Sequence, residues 1–471
     1  MGAAARVGAK MEDVSTPAEN APLPDNAANA APAGTGATAG HTPPAECDVL
    51  IVGAGPAGSA AAAWLARRGI DVVLTDRAPL GRDKTCGDGL TPRAMAELRR
   101  LGLDEWAGER ISIKGLRLRG FGAEHEIPWP SGRFGQRGSA VPRRVLDRAL
   151  AEKAADEGAR LFAGWGARIT GTSDVMGGVV PTEVTLSGPR EEGSEQRQIA
   201  ARVVIGADGA RSSIGRALGR RWHRDLPFAV AARSYMTADA HDLPWIGSDL
   251  ELRDAAGAIA PGYGWVFPLG DGSVNLGVGA LATSNRPANV NVRELLAAYV
   301  PKVREEWGLH GEPREVASAF LPMGGAVSGV AGPNWALTGD AAGLINPLNG
   351  EGIDYGLEAG RLLAGVVAEH LDSRDPHGAG ALTAVWPQVL REEFGPSFAL
   401  ARQLATLLTY PRFLPAVGPI GMGSTVLMQA AVRCMGNVVT EDDADLVSTL
   451  WRGAGRGNKA IDRLRGRPLF T

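Results

Sequence analysis

The first sustained apolar run of the chain is DVLIV at 48–52. It is short, continuous and β-branched, as a strand buried on both faces should be. A glycine-rich turn, GAGPAG (53–58), follows, then an Ala-rich stretch that predicts a helix to Arg68, stopped at Gly69. DVVLTD predicts a second strand over 71–76, completing a βαβ unit of about thirty residues. Beyond a loop at 77–91 the pattern predicts a helix from Pro92 to before Gly102, strands over 111–128 and a helix over 142–158. Strand-like stretches return at 160–170 and 179–187. Two further buried strands, ARVVIGADG (201–209) and WALTGD (335–340), each run into a turn. Between them, 226–280 is rich in Val, Tyr, Phe and Trp with Gly and Pro breaks, which predicts an antiparallel sheet. Residues 353–371 predict a long helix, and helical patterns dominate to about 453.

This order predicts a doubly wound α/β lobe assembled from separated segments. They are residues 47–225 and 326–372, with contributions from 47–110, 140–225 and 326–372. A β-rich substrate lobe (226–325) lies between them and a helical region (373–471) follows. The first 46 residues are mostly Ala, Pro, Gly, Asn and Thr, lack apolar periodicity, and read as a disordered tail. They also lack the basic start and apolar run of a signal peptide. No uninterrupted apolar stretch reaches the ~18 residues of a spanning helix, so a soluble protein is expected. The 471 residues carry a net charge of −3, which leaves no basic excess for nucleic acid. Three cysteines, Cys47, Cys86 and Cys434, lie far apart, with no even disulfide framework and no CxxC pair for a metal. A reducing, cytoplasmic setting and no metal are expected.

Candidate chemistry lies in three places. Gly53, Gly55 and Gly58 stand between a strand and a helix. In a dinucleotide-binding turn the first allows the bend, the second lets backbone approach a pyrophosphate, and the third lets helix and strand pack closely. The helix N-terminus adds free N–H groups and a positive dipole end. Asp76 closes the second strand about 20 residues on, where an acid bonds a ribose hydroxyl. Next, Asp208 and Gly209 follow a strand, with Asp208 read as a cofactor contact or as a helix cap. Finally, GDAAGLINPLNGEG (339–352) places Asp340 where it can reach a sugar-like hydroxyl chain. Pro347, Gly350 and Gly352 precede a long helix whose N-terminus can face a flat ring.

Together these motifs resemble those of the flavoproteins that include aromatic hydroxylases and geranylgeranyl reductases. The resemblance implies an FAD-binding doubly wound lobe and non-covalent FAD, since no linking His or Cys lies near the glycine turn. Arg143 in RRVLD (143–147) fits that group's RxxLD helix start, where the arginine lies along the cofactor; otherwise it is a solvated helix residue. KTCGDGLTPRA (84–94), YGWVFP (263–268) and NGEG (349–352) resemble the geranylgeranyl reductase branch, and Gly343 stands where hydroxylases tend to carry His. GRRWHRD (219–225), 261–281, LPMGGAVSGVAG (321–332) and PRFLPAVGPI (411–420) look like the menaquinone side-chain reductases within it.

The resemblance implies reduction of an isolated prenyl C=C bond, with substrate placement as a main source of rate. Tyr263, Trp265 and Phe267 then form an apolar substrate wall, or else plain sheet core. Cys86 shapes the pocket, supplies a proton, or is a structural buried thiol. Other readings are a reductase of geranylgeranyl diphosphate or prenyl lipids, a flavin monooxygenase, or a non-catalytic prenyl carrier. GVGALA (277–282) has glycines without a following helix, so electrons should come from an external donor, NAD(P)H or a redox protein. Arg93, Arg143 and Arg233 are scattered in sequence, leaving a diphosphate-binding cluster open. The uncharged run 413–432, flanked by Arg412 and Arg433, reads as an interfacial segment or a buried helix. The interfacial reading predicts a peripheral protein at the inner face of the cell membrane.

Overall fold

Regular structure begins at Glu46, one residue before the predicted start, in a computed structural model that describes residues 42–189, 195–373, 381–435, 449, 453–457, 469 and 470. The predicted tail, up to residue 41, lies outside the described residues. Five parallel strands run side by side in the order Trp335–Leu337, Gln196–Gly206, Glu46–Val52, Val72–Asp76 and Arg160–Ala163. Their carboxyl ends carry the glycine turn, Asp76, Asp208 and Asp340 to one edge, the edge where doubly wound sheets bind ligands. The strand Gln196–Gly206 changes character along its length. Its polar first half pairs antiparallel with the hairpin Gly166–Val175 and Gly178–Ser187, and its apolar second half is buried in the parallel sheet. The expected strand over 335–340 is shorter: it ends at Leu337, and Gly339–Ala342 forms a 3₁₀ turn because Gly339 adopts φ +60°.

The helices Pro56–Ala66 and Ile353–Asp372 pack on each other in this lobe. Their approach depends on Gly360, where a Cβ would lie 2.6 Å from the Ala57 carbonyl oxygen.

The second sheet runs Leu309–Pro322, Phe228–Ala238, Ser273–Ala282, Gly262–Pro268, Trp245–Asp249, Gly115–Gly120, Ala123–Pro128. It is mixed, not wholly antiparallel as expected. Trp245–Asp249 pairs parallel with Gly115–Gly120, a strand that comes from more than a hundred residues earlier. Periodicity reports a strand but not its partner, so this recruitment of the 115–128 hairpin has no local signal. The lobe also contains a helix, Val292–Trp307, capped by the Asn291 side chain and ended by left-handed Gly308. It covers one face of the sheet, with Tyr299 over Gly264 and Trp307 over Gly247. Tyr263, Trp265 and Phe267 therefore stand on the opposite face.

Helices follow at Leu382–Glu393, Gly395–Leu408, Phe413–Met422 and Thr425–Met435. Trp386 ties the first of them to the parallel sheet through Nε1 to the Leu337 carbonyl, 2.8 Å. The uncharged run is thus two short helices, not one. Among the described residues no helix is long and apolar enough to cross a membrane.

Candidate active site

A cavity of about 420 Å³ lies between the parallel-sheet edge and the open face of the second sheet. Its first wall is backbone. The turn after Glu46–Val52 is held by the Gly53 N–H to the Thr75 carbonyl (2.7 Å), and by the Ala54 N–H to the Asp76 carboxylate (3.0 Å). The three glycines have distinct reasons. Gly53 has φ +110° and lies against Ala207, where a Cβ would be 2.3 Å from the carbonyl oxygen. A Cβ at Gly58 would be 1.9 Å from the Gly53 oxygen. Gly55 has an ordinary φ of −82°, and a Cβ there meets only the Arg143 guanidinium, at 3.8 Å. Nothing in the protein's own packing requires glycine at 55, which lines the cavity at the N-terminus of a buried helix. Glycine there leaves the backbone open to the cavity, a cradle that a Cβ would fill, so the site fits a dinucleotide.

The Asp76 carboxylate, 8% exposed, accepts from the Ala54 and Ala78 amides and lies behind the turn, outside the cavity lining. Asp208 likewise turns to its own chain. It accepts from Ser212, Ser213 and Ile214 and caps the short helix Ser213–Ala217, while Gly209, at φ +81°, lines the cavity. Asp340 lines the cavity and pairs with Lys84 at 3.2 Å. Gly350 and Gly352 line it too, at the N-terminus of Ile353–Asp372, so a second helix dipole points its positive end at the same space. Pro347 does not: it packs on left-handed Gly324 behind the loop. Arg143 is buried at the cavity edge, not solvated, and is held by Asp147 through two bonds of 2.7 and 2.8 Å.

The second wall is side chain. Tyr263, Trp265 and Phe267 line the cavity in a row, with centroids 5.9 and 6.2 Å apart, so this stripe is pocket surface as well as sheet. Phe267 lies over the Cys86–Gly89 loop, where a Cβ at Gly87 or Gly89 would come 2.8 Å from its ring. That loop hangs on Asp88, which has φ +66° and is fully buried. Its carboxylate accepts from the Tyr235 hydroxyl (2.6 Å), Asn275 Nδ2 (2.7 Å) and the Arg143 amide (3.1 Å). Burial pushes its pKa up to about 6, against the pull of those donors. Burial also pushes the Cys86 thiol up, despite Arg143 nearby, so Cys86 lines the pocket as a neutral thiol. The far end of the cavity is closed by Leu408, Leu414, Met428, Ala431 and Val432 of the C-terminal helices. Those residues were not singled out from sequence, nor were Tyr235, Asn275 or Glu351. Glu351 lay within the NGEG motif, but only its glycines suggested a ligand.

Residues 46–378 match the FAD binding domain family. This chain is a member of that flavoprotein family. It is also 54% identical to the menaquinone reductase of Mycobacterium tuberculosis over 90% of this chain and 98% of that protein. It is 30% identical to digeranylgeranylglycerophospholipid reductase 1 of Methanopyrus kandleri, covering 77% and 91% of the two chains. The crystal structure of a geranylgeranyl bacteriochlorophyll reductase-like protein from Thermoplasma acidophilum shares the fold. Its TM-score is 0.68 at 24% identity, over 86% of this chain and 98% of that one. The flavoprotein's cofactor is FAD, its fold is the doubly wound α/β type with a second sheet, and it is an FAD-dependent oxidoreductase.

Proposed function

We propose that this oxidoreductase saturates one isoprene double bond in the side chain of menaquinone. The observation that carries the reading is one cavity with two kinds of wall: a backbone wall of glycine turns and helix N-termini, and an apolar wall of aromatic and aliphatic side chains. Gly55, Arg143, Gly209, Asp340, Gly350 and Gly352 are the proposed FAD contacts. Gly53, Gly58, Asp76, Asp208 and Pro347 shape that wall from behind. When bound and reduced, FAD supplies the hydride. The chain's own part is to hold an unpolarised alkene in line and to exclude water, which suits the row Tyr263, Trp265 and Phe267.

The names of the relatives support a prenyl substrate, and the charges support a quinone over a diphosphate. A diphosphate head calls for clustered cations free to bind it. Arg93 pairs with Glu358, Arg143 with Asp147 and Arg233 with Asp83. Geranylgeranyl-type prenyl lipids remain the second reading, favoured by the 30% identical relative.

Substrate entry is proposed from the membrane. The helices Phe413–Met422 and Thr425–Met435 line the cavity with Leu414 and Met428, while Ile420 (70% exposed) and Val426 (71%) face outward. That outward face is proposed to dip into the inner leaflet, and flotation with anionic liposomes tests it: protein left at the bottom rejects it. An external donor, NAD(P)H or a redox protein, is proposed to reduce the flavin.

The test of the substrate is deletion of the gene and mass analysis of cellular quinones. Loss of the dihydro form, restored by the wild-type gene and not by a Gly55→Val copy, is expected. An unchanged quinone profile with altered saturation of other prenyl lipids would award the substrate to the second reading.

A further inference from the structure

Saturating an isolated C=C bond takes a hydride at one carbon and a proton at the other. The alkene has no basic atom, so the proton must already stand in the pocket on a neutral acid. The cavity-lining side chains stronger in acidity than a simple alcohol are Lys84, Cys86, Asp88, Arg143, Tyr263, Asp340 and Glu351. Lys84 and Asp340 are paired with each other, and Arg143 with Asp147. Asp88 accepts three hydrogen bonds, the arrangement that suits a carboxylate. Tyr263 donates its hydroxyl to the Asn349 carbonyl, and burial pushes its pKa up. The Cys86 thiol is pushed up by burial as well.

Glu351 differs from all of these. Its Oε1 is buried without a hydrogen-bond partner among the described residues. Burial, and then the charge of Asp354, push its pKa well above the usual carboxylate range. The groups facing it are Asp354 and Tyr355 on the long helix, Thr91 and Arg93 from the helix Pro92–Arg100 and its cap, Tyr263 from the aromatic strand, and Asn349 in its own loop. It also stands beside the N-terminus of Ile353–Asp372, whose dipole favours the anion left after proton transfer.

We propose that Glu351 is the acid that completes saturation of the prenyl double bond. The assignment rests on the reductase reading above. The alkene takes a hydride from the reduced cofactor at one carbon and the Glu351 proton at the other. The π bond, the reduced cofactor's bond to the hydride and the Glu351 O–H bond break, and two C–H bonds form. The cofactor is oxidised by two electrons as the alkene is reduced, and the carboxylate regains its proton from solvent. Cys86 then shapes the pocket without donating.

The test uses the FAD-loaded protein, reduced anaerobically with dithionite and mixed with menaquinone in detergent. It reads flavin reoxidation and the product mass after the quinone ring has been reoxidised. Glu351→Gln should keep its flavin and lose about 10²-fold or more in prenyl reduction, the range of a general acid. Cys86→Ala should lose less than about tenfold. The wild-type rate should fall as pH rises through the Glu351 pKa, and the Gln variant should lack that limb. An independent reading needs no turnover: the infrared carbonyl stretch of a protonated carboxyl should persist above neutral pH and vanish in Glu351→Gln. This band and the wild-type pH limb decide the matter if the Gln variant loses flavin. A wild type that leaves the prenyl chain intact rejects the reductase reading. A wild type that reduces it alongside a Gln variant within about threefold overturns Glu351 as the donor; so does the absence of the protonated band.

Discussion

The two walls of the cavity are built by different means. The wall from the parallel sheet is backbone, with Gly55, Gly209, Gly350 and Gly352 lining it at turns and helix ends. The opposite wall is side chain, with Tyr263, Trp265 and Phe267 projecting from one face of a strand whose other face is covered by Tyr299 and Trp307. A backbone wall suits a ligand with phosphates, which any amide can bond. A side-chain wall suits an apolar ligand recognised by shape. A substitution on the first wall therefore acts by filling space, and one on the second by moving a surface.

The largest expected effect is on the backbone wall. A Cβ at residue 55 meets only the Arg143 guanidinium, at 3.8 Å, so the Gly55→Val chain should fold with unchanged circular dichroism. Its branched side chain should still fill the cofactor's space. FAD affinity should fall at least about a hundredfold, roughly 3 kcal/mol, by flavin fluorescence titration. Full flavin occupancy in the folded variant would sink the assignment of that turn.

A smaller effect is expected where the walls meet. Gly87→Ala puts a methyl group 2.8 Å from the Phe267 ring and should displace the Cys86 loop. Flavin content should hold while prenyl turnover drops about tenfold, and Phe267→Leu in the same chain should recover part of it, as contacting residues couple. Equal loss in single and double variants would show that the ring contact is not the cause.

The smallest effect concerns pH. Asp88 is raised from 3.8 to about 6, so between those values the folded protein binds the proton more tightly than the unfolded chain. Its contribution to stability therefore falls as pH rises through that window. Its hydrogen bonds from Tyr235, Asn275 and the Arg143 amide need the carboxylate, however, so turnover should fall as pH drops through about 6. Tyr235→Phe removes a donor that pulls the pKa down, and its acidic limb should lie at higher pH, at a stability cost of about 1 kcal/mol. An unmoved limb in pH–rate profiles would detach Asp88 from that limb.

The glycine turn, its helix, the strand carrying Asp76 and the loop before Ile353 were legible in sequence because each is local. A buried strand, a turn that needs glycine and a capped helix occupy neighbouring residues, and the flavoprotein family follows from them. Even there, sequence named residues without their direction. Asp208 and Pro347 sit in cofactor motifs, yet the first caps a helix and the second packs on Gly324. The other wall had no such signature. The hairpin 115–128 joins the second sheet in parallel register with 245–249. Asp88 meets Tyr235 and Asn275 across more than 140 residues, and Leu414 and Met428 close a pocket begun at Gly55. The chain by itself determined which cofactor is bound, because phosphate recognition is written in consecutive backbone conformations. Which side chains line the apolar wall, and which carboxyl is left buried with an oxygen unpartnered among the described residues, only the tertiary structure decided, because desolvation and aromatic packing arise from residues that meet only when the sheets close on each other.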